Sequence, residues 1–172
     1  MNPLSIAAVI LAAGASRRLG RPKQLVEFQG ETLLARAIRI AQEAEFHPVV
    51  AVLGAGRDTI GASSPPGSAT LGCNEAWQKG IASSMRAGLH AAAILAPDLA
   101  GVLMIPCDQP RLSAGHLRAL LSTFRAEQGR CIAASIYAGV RGTPALFPAA
   151  MFPQVNALSG DTGARKLLQN PP

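Results

Sequence analysis

Short, continuous runs of apolar residues alternate along this chain with segments in which apolar residues recur every three or four positions. A strand buried on both faces is apolar throughout, whereas a helix packed on one side is apolar only at helical spacing. The continuous runs predict strands over residues 6–11, 49–53, 101–106 and 131–136. The helical spacing predicts helices from Thr32 onward, over 80–95, from Ser113 onward, and over the short pieces 149–158 and 162–168.

This alternation predicts an α/β fold with a mainly parallel, doubly wound sheet. Thr32 and Ser113 are the expected N-caps of their helices, because a hydroxyl oxygen accepts a hydrogen bond from the free N–H groups of a first helical turn. Ligands of such sheets bind beyond the carboxyl ends of the strands. We therefore expect the functional residues in the segments that follow Leu11, Leu53 and Ile105.

The composition excludes several classes of protein. Of 172 residues, 49% are hydrophobic and 15% are charged, against about 25% charged in a typical soluble domain, so global disorder is not expected. The apolar runs fall far short of the ~20 residues that span a bilayer, and residues 6–13 lack the basic stretch that precedes a signal-peptide core. Three cysteines without C-x-x-C spacing favour a reducing compartment. We expect a cytoplasmic protein with no membrane partner.

The formal net charge is +6, carried by 13 arginines and 3 lysines against 10 acidic residues. Such a charge suits either a nucleic acid or a phosphate-rich small ligand. The seven aromatic residues are scattered along the chain and form no stacking pattern, which argues against a nucleic-acid partner.

The segment after the first predicted strand concentrates small residues and cations in the sequence LAAGASRRLGRPK, residues 11–23. Small residues let backbone N–H groups approach phosphate oxygens, and arginine and lysine neutralise their charge. The segment is neither a P-loop, which needs G-K-[ST], nor the G-x-G-x-x-G of dinucleotide-binding folds. A solvated basic turn is the alternative interpretation.

This string resembles, without a mismatch, the L-A-A-G-x-S-x-R-x-G-x-P-K motif of the MobA-like nucleoside-triphosphate transferases, and is most similar to their molybdenum cofactor cytidylyltransferase branch. Three later regions are similar to family motifs in order and spacing: the nucleotide-pocket segment 74–85, the metal-binding strand end 106–110, and the acceptor-side loops 142–144 and 160–165. The resemblance covers about residues 6–168. Family members continue beyond these loops with a further strand and helix, which leaves open the sheet edge where this sequence ends at Pro172.

The resemblance implies a three-layer Rossmann-like nucleotidyltransferase fold with a mainly parallel central sheet. It implies one domain over residues 1–172, with a nucleotide-binding half of about 1–110 and an acceptor-binding half of about 111–172. Nucleotidyl transfer joins an acceptor phosphate, already an anion, to the α-phosphorus of a nucleoside triphosphate. The reaction therefore needs positioning and charge neutralisation more than a strong general base.

Individual roles follow from the matching positions. The expected catalytic residues are Lys23, Arg18 and Asp108. The expected nucleotide contacts are Leu11, Ala12, Ala13, Gly14, Ser16, Gly20, Asn74 and Ser83. Asp108 and Asp161 are the expected ligands of Mg²⁺, for which Mn²⁺ can substitute. The expected acceptor contacts are Gly142, Thr143, Pro144 and Arg165.

Several of these residues have plainer interpretations. Alanine at position 13 accompanies CTP in the family, where glycine accompanies GTP, but simple packing explains Ala13 equally well. Asp108 could stabilise a turn, Asp161 could cap the last helix, and Arg165 could favour that helix's carboxyl end. Cys107 is expected to be a small buried residue, and not a nucleophile.

The expected reaction is transfer of CMP from CTP to the terminal phosphate of a molybdopterin-type cofactor, with release of pyrophosphate. The expected partners are CTP, this phosphate-bearing pterin and a molybdoenzyme that receives the product. Three alternatives stay open: a guanylyltransferase acting on the same cofactor, a cytidylyltransferase acting on a sugar or polyol phosphate, and a non-enzymatic module that binds and delivers the cofactor.

Overall fold

The computed structural model describes residues 4–16, 19–63, 67–161 and 163–169. The strands in these residues are β1 (Ser5–Ala12), β2 (Glu27–Phe28), β3 (Glu31–Thr32), β4 (Val49–Leu53), β5 (Thr70–Cys73), β6 (Leu99–Pro106), β7 (Ala133–Tyr137) and β8 (Val140–Pro148). The α-helices are α1 (Leu33–Glu43), α2 (Arg57–Ser63), α3 (Ile81–Leu95), α4 (Ala114–Ala126), α5 (Phe152–Ala157) and α6 (Arg165–Gln169). Single 3₁₀ turns cover Lys23–Leu25, Trp77–Lys79 and Ala149–Met151.

Six strands form one sheet in the order β5-β4-β1-β6-β8-β7. Strand β1 is parallel to β4 on one side and to β6 on the other, and β4 is parallel to β5. Strand β8 runs antiparallel to both β6 and β7. The sheet is thus mainly parallel, as predicted, and the carboxyl ends of β1, β4 and β6 meet at one edge.

Helices cover both faces of this sheet and create two cores. Along β1, Ile10 and its alternate neighbours pack with residues of α1 and α4, whereas Val9 and its alternates pack with residues of α3 and α5. The small residues allow close contact between layers: a Cβ on Gly88 of α3 would lie 2.2 Å from Cγ1 of Val9. This three-layer α/β architecture is the predicted one.

The predicted caps are confirmed at both helices. The Ala35 N–H donates to Thr32 Oγ1 at 3.2 Å, and the His116 N–H donates to Ser113 Oγ at 3.2 Å. The strands predicted over 6–11, 49–53 and 101–106 and the helix predicted over 80–95 are present with shifts of at most two residues at their ends. No helix in the described ranges is long and apolar enough to cross a membrane.

The sequence analysis did not predict α2, β5, the two-residue strands β2 and β3, or the nine-residue strand β8. In β8, Gly142 and Pro144 interrupt the run of apolar and β-branched residues that is typical of a strand. The strand forms nevertheless, because it pairs with β6 and β7. The run predicted to begin a strand at residue 131 is ordered as β7 only from Ala133. The helix predicted over 149–158 is a 3₁₀ turn followed by α5, and the last predicted helix is α6, starting at Arg165.

Candidate functional site

A cavity of about 320 Å³ lies at the edge where the carboxyl ends of the parallel strands meet. It is open to solvent and lies over the segment that follows β1. Its walls are formed by Leu11, Ala13, Gly14, Ala15, Lys23, Trp77, Gln78, Gly80, Ile81, Ser84 and Asp161. The structure thus brings both ends of the Leu11–Lys23 segment together with the beginning of α3 and with Asp161.

Lys23 and Asp108 form an ion pair at this edge. Lys23 begins the first 3₁₀ turn, Asp108 follows β6, and Lys23 Nζ lies 2.9 Å from Asp108 Oδ2. The side chains are 31% and 45% exposed, so a ligand can reach both. Burial alone lowers the pKa of the Lys23 ammonium, but the hydrogen bond to Asp108 and neighbouring negative charge outweigh it, and the pKa lies above the ordinary 10.5. Lys23 is therefore a cation at neutral pH.

Three hydrogen bonds hold the loop after β1 against the Lys23 turn. The Lys23 N–H donates to Ser16 Oγ at 3.0 Å. Gln24 Nε2 donates to the carbonyl oxygens of Ala12 at 2.6 Å and Gly14 at 2.9 Å. Ser16 itself has φ +53°, a left-handed conformation that turns the chain sharply. These bonds fix the backbone of the loop that the sequence assigns to phosphate binding.

Gln24 is a residue that the sequence reasoning missed. Its side chain is completely buried, yet Gln24 Oε1 has no hydrogen-bond partner among the described residues. A buried amide of this kind is retained for the bonds that its N–H groups make. Its position beside Lys23 is the one sequence signal that could have drawn attention to it.

Other residues of the first motif have different surroundings. Ala12 and Ala13 are buried, and Gly14 is exposed, with open space where a Cβ would stand. Gly20 has φ +68° and is exposed at a turn. Arg18, an expected catalytic residue, lies outside the described residues. The nucleotide contacts assigned to these positions stay predictions.

Asp161 is held against the first turn of α3. A Cβ at Gly80 would lie 2.5 Å from Gly160 and 2.6 Å from Asp161 Oδ1, so only glycine permits this approach. Gly80 also has φ +94°, and the Ala82 N–H donates to the Gly160 carbonyl at 3.2 Å. Since α6 begins only at Arg165, Asp161 is not adjacent to that helix, which argues against the alternative of a helix cap. The contact places its carboxylate in the wall of the 320 Å³ cavity.

Asn74 and Ser83 are buried and are bonded to each other. Asn74 Nδ2 donates to Ser83 Oγ at 2.8 Å and to Ser84 Oγ at 3.0 Å, while its Oδ1 accepts from the Ala76 N–H at 3.0 Å. All polar atoms of the Asn74 amide are therefore occupied within the protein. The structure gives this residue a positioning role toward α3, and direct nucleotide contact by Asn74 and Ser83 stays a prediction.

Trp77 serves both as a packing residue and as a cavity wall. It packs against the α3-side core and lines the 320 Å³ cavity. A Cβ at Gly54 would lie 2.7 Å from Trp77 Cβ, which shows how closely the end of β4 approaches the indole-bearing turn. Trp77 therefore packs on the core and also contributes to the wall of the site.

The expected acceptor residues lie in two places. Gly142, Thr143 and Pro144 belong to β8, and Gln109 Nε2 donates to the Thr143 carbonyl at 2.9 Å, which joins this strand to the segment of Asp108. Arg165 is exposed at the first residue of α6, and Lys166 is the basic residue in the last turn of this short helix. Arg165 does not line the 320 Å³ cavity.

The donor set suits a hard divalent cation held largely by its substrate. Within the described part of the chain no group of three or more His, Cys, Asp or Glu side chains is close enough to hold a metal by itself. Asp108 and Asp161 offer carboxylate oxygens, and Mg²⁺ is commonly bound through one or two carboxylates plus substrate phosphates and water. Cys107 adds nothing, because burial raises the pKa of its thiol to about 12. The residues therefore fit such an ion in the presence of a triphosphate.

Comparison with known proteins gives the site its context. Nicotine blue oxidoreductase of Paenarthrobacter nicotinovorans is 35% identical over 97% of this chain and 83% of its own length. A probable molybdenum cofactor guanylyltransferase of Opitutus terrae is 32% identical over 96% of this chain and 74% of its own length. The activities named for these two relatives differ, so similarity alone does not select the reaction.

A solved structure shows the fold, and a family profile shows the class. Rv0371c of Mycobacterium tuberculosis has a TM-score of 0.84 at 29% identity, covering 98% of this chain and 84% of its own. Its complex with manganese has a TM-score of 0.81 at 27% identity, over 97% of this chain and 83% of its own. The profile of the MobA-like NTP transferase domain matches residues 8–171. The chain belongs to the MobA-like NTP transferase family.

Proposed function

We propose that this protein transfers CMP from CTP to the terminal phosphate of a molybdopterin-type cofactor and releases pyrophosphate. The observation that carries the proposal is the Lys23–Asp108 pair, at 2.9 Å, beside a cavity that Lys23 shares with Asp161. A reaction between two phosphate-bearing anions needs positive charge in a fixed position, and Lys23 is paired with one carboxylate and shares the cavity with another.

The reaction balances without a general base. An oxygen of the acceptor phosphate forms a bond to the α-phosphorus of the nucleotide, and the bond from that phosphorus to the bridging oxygen of the β-phosphate breaks. The electron pair leaves with pyrophosphate. Lys23 stabilises the negative charge that accumulates on the leaving oxygens, because its ammonium already lies at this edge beside Asp108. Its backbone N–H is bonded to Ser16, which holds the turn from which the side chain extends. Arg18 is proposed to assist it.

The loop after β1 is proposed to hold the triphosphate. Gln24 and Ser16 fix its backbone from behind, so the N–H groups around Gly14 need no reorganisation when phosphate arrives. Asp108 and Asp161 would hold Mg²⁺ or Mn²⁺ on the same phosphates; when bound, this ion neutralises charge on the transferring group. The manganese complex of Rv0371c supports this part of the proposal.

The choice of CTP is supported by Ala13 alone. Ala13 is buried at the end of β1, lines the 320 Å³ cavity, and accepts a hydrogen bond from the Ala55 N–H at 3.0 Å. In the family, alanine at this position accompanies CTP. The second candidate is the guanylyltransferase reaction on the same acceptor. It is favoured by the similarity to the Opitutus terrae protein, which is named a probable molybdenum cofactor guanylyltransferase.

We propose that the nucleotide and the acceptor are bound by successive parts of the chain. Residues 1–110 would bind the nucleotide and residues 111–172 the acceptor, with Asp108 at the boundary. The product would then pass to a molybdoenzyme.

Product analysis by mass spectrometry tests the proposal. The full chain is incubated with Mg²⁺, CTP or GTP, and three acceptors: molybdopterin-type cofactor, a sugar phosphate and a polyol phosphate. The expected result is a cytosine dinucleotide of the pterin with an equal amount of pyrophosphate, absent with Asp108→Asn. A guanine dinucleotide formed in preference selects the second candidate. Binding of nucleotide and cofactor without any product overturns both and leaves a delivery module.

A further inference from the structure

Arg36 of α1 is bonded to the backbone of the segment that carries Asp108. Its Nε donates to the Pro110 carbonyl at 2.9 Å, and its Nη2 donates to the Leu112 carbonyl at 3.4 Å. Both carbonyls belong to residues 107–113, the segment between β6 and α4 (the Asp108 segment). The side chain of Arg36 is only 16% exposed, so most of its guanidinium is used for contacts within the protein.

The same guanidinium also contacts the short hairpin formed by β2 and β3. Arg36 Nη1 lies 3.1 Å from Glu31 Oε1, and the guanidinium carbon lies 5.3 Å from the centre of the Phe28 ring. Glu31 and Phe28 face each other as a pair in this hairpin. A carboxylate from one strand and an aromatic ring from the other therefore hold the cation in place.

The hairpin follows directly after the 3₁₀ turn of Lys23. One residue, Val26, separates this turn from β2, and its carbonyl accepts a hydrogen bond at 2.9 Å from the Leu33 N–H at the start of α1. The Lys23 turn, the hairpin and the first turn of α1 are thus linked to each other. Arg36 connects this unit to the Asp108 segment.

An open cavity of about 630 Å³ lies between these two parts of the site. It is lined by Lys23, Val26 and Leu33 from the first part and by Asp108 and Pro110 from the second. The Asp108 segment contains neither a strand nor a helix. Its position relative to the Lys23 turn therefore depends largely on side-chain contacts across this opening.

The position of Arg36 is unfavourable for a cation in two respects. It is the fourth residue of α1, close to the end of the helix at which the macrodipole disfavours positive charge. It is also largely buried, which costs free energy unless the charged group is paired and hydrogen-bonded. The bonds to Glu31 and to two backbone carbonyls offset these costs, and the planar fork of an arginine can reach all three acceptors.

We propose that Arg36 is a positioning residue, which fixes the Asp108 segment relative to the Lys23 turn and so places the Asp108 carboxylate for the metal ion and the triphosphate. This inference rests on the proposed function, in which Asp108 holds the metal ion. Arg36 lines neither the 320 Å³ nor the 630 Å³ cavity, so it acts through Asp108 and not on the substrate. A displacement of a reacting group by about 1 Å can lower a rate roughly a hundredfold.

Arg36→Lys tests this role with the charge retained. The lysine has one ammonium in place of the planar fork, so it cannot hold Glu31 and both carbonyls together. Arg39→Lys is the matched control, because Arg39 lies on the same helix and donates to the carboxylates of Glu31 and Glu43 on the exposed surface. Thermal unfolding checks that both variants fold.

Hydrogen exchange of the ligand-free protein measures how firmly the Asp108 segment is held. The Leu112 N–H donates to the Gln109 carbonyl at 3.1 Å, so its exchange rate reports opening of this segment. We expect this amide to exchange roughly tenfold faster in Arg36→Lys, as for loss of a hydrogen bond to a charged group, while the amides of β1 keep their rates. Arg39→Lys should resemble the wild type.

Mn²⁺ binding in the presence of CTP, without an acceptor, measures the consequence for the site. The EPR signal of Mn²⁺ is titrated with protein at a fixed CTP concentration. Arg36→Lys should weaken binding roughly tenfold, as for other residues that orient a metal ligand. In Asp108→Asn the charged ligand is already lost, so addition of Arg36→Lys should weaken binding no further.

Three results overturn the positioning role: unchanged exchange at Leu112 in Arg36→Lys, equally faster exchange throughout the protein, or a second loss of Mn²⁺ affinity when Arg36→Lys is added to Asp108→Asn. Normal CMP transfer by Arg36→Lys at limiting Mg²⁺ refutes the role of Arg36 and leaves the proposed function intact. If the wild type binds Mn²⁺ with CTP but transfers no CMP, the proposed reaction fails, and the exchange and EPR results still decide the role of Arg36.

Discussion

The ammonium of Lys23 and the carboxylate of Asp108 lie 2.9 Å apart although 85 positions separate them in the chain. Both side chains are substantially exposed, and an ion pair in such surroundings contributes little to folding stability. The ion pair instead fixes the positions of a cation and an anion where the loops that follow β1 and β6 meet. An arriving triphosphate can draw Lys23 to its oxygens and leave Asp108 free to hold a metal ion.

Replacement of Lys23 by alanine separates catalysis from mere attraction. A cation that follows charge onto the breaking bond acts more strongly in the transition state than in the ground state, so its loss lowers kcat. We expect Lys23→Ala to lower kcat by roughly a hundredfold, as for the loss of one preorganised charge-stabilising group. Steady-state kinetics at two ionic strengths, with circular dichroism for folding, measures this.

Arg21→Ala is the matched control for that variant. Arg21 is exposed and occupies a variable position of the motif, so we expect it to act through long-range attraction. Its replacement should mainly raise KM, and by less at high salt, where charges are screened. A Lys23→Ala protein that differs from wild type only in KM would reduce Lys23 to a tether for the triphosphate.

Asp108 and Asp161 are expected to differ in the size of their effect. Asp108→Asn keeps the shape of the side chain but supplies a neutral oxygen to the metal, so most turnover should be lost while the fold is kept. Asp161→Asn should slow the reaction less, since Asp161 lines the cavity without contacting Lys23. Kinetics across a Mg²⁺ titration measures both. Unchanged rates for Asp108→Asn at saturating Mg²⁺ would make Asp108 a turn residue.

The parallel part of the fold was predictable because its signal is local. The strands at 6–11, 49–53 and 101–106 are buried on both faces and therefore uniformly apolar, and Thr32 and Ser113 mark helix starts by their own hydrogen bonds. Strand β8 depends instead on pairing with β6 and β7, partners 40 residues before it and directly before it. Because of Gly142 and Pro144, the local sequence pattern does not predict this strand.

The candidate site was predictable only in part, for a similar reason. Glycines and cations after β1 indicate phosphate chemistry wherever the chain goes next. Nothing local shows that Gln24 is fully buried, or that the Asn74 amide is occupied by two serines and a backbone N–H. These contacts form only when the chain is folded, as when the Gln24 amide donates to the carbonyl oxygens of Ala12 and Gly14 in the neighbouring loop.

Nucleotide selectivity is measured by calorimetry with a panel of triphosphates in the presence of Mg²⁺. If Ala13 helps to select the base, CTP should bind more tightly than GTP, ATP or UTP. Ala13→Gly should reduce the difference in binding affinity between CTP and GTP, because glycine at this position accompanies GTP in the family. Equal or stronger binding of GTP by the wild type would favour the guanylyltransferase reaction.

The three cysteines should differ in reactivity. Cys73 and Cys131 are exposed, whereas Cys107 is buried and burial raises the pKa of its thiol to about 12. The thiolate is the reactive form, and the raised pKa keeps Cys107 protonated at pH 8 in the folded protein. Iodoacetamide at pH 8 should therefore alkylate two sites in the folded protein and a third only after unfolding. Peptide mass mapping identifies them, and rapid labelling of Cys107 in the folded protein would contradict its assigned burial.

Gln24→Leu tests whether this buried amide positions the phosphate loop. The substitution removes the donor to the carbonyls of Ala12 and Gly14, and unpaired buried acceptors cost about 1–3 kcal/mol in unfolding free energy. Gln42→Leu is the matched control, because the Gln42 amide donates to Ser68 Oγ on the exposed surface, and such surface changes stay within about 0.5 kcal/mol. Denaturant unfolding measures both.

If Gln24 positions the phosphate loop, its replacement should also change KM, which a loss of folding stability alone would not do. With its carbonyls released, the loop loses its fixed backbone, so nucleotide must order it on binding, and KM for the triphosphate should rise several-fold for Gln24→Leu even far below its unfolding temperature. Gln24→Glu should be worse, since it sets a carboxylate against two carbonyl oxygens. If Gln24→Leu unfolds more easily than wild type yet keeps its KM, Gln24 only stabilises the fold, and the phosphate loop must be fixed by the Ser16–Lys23 bond.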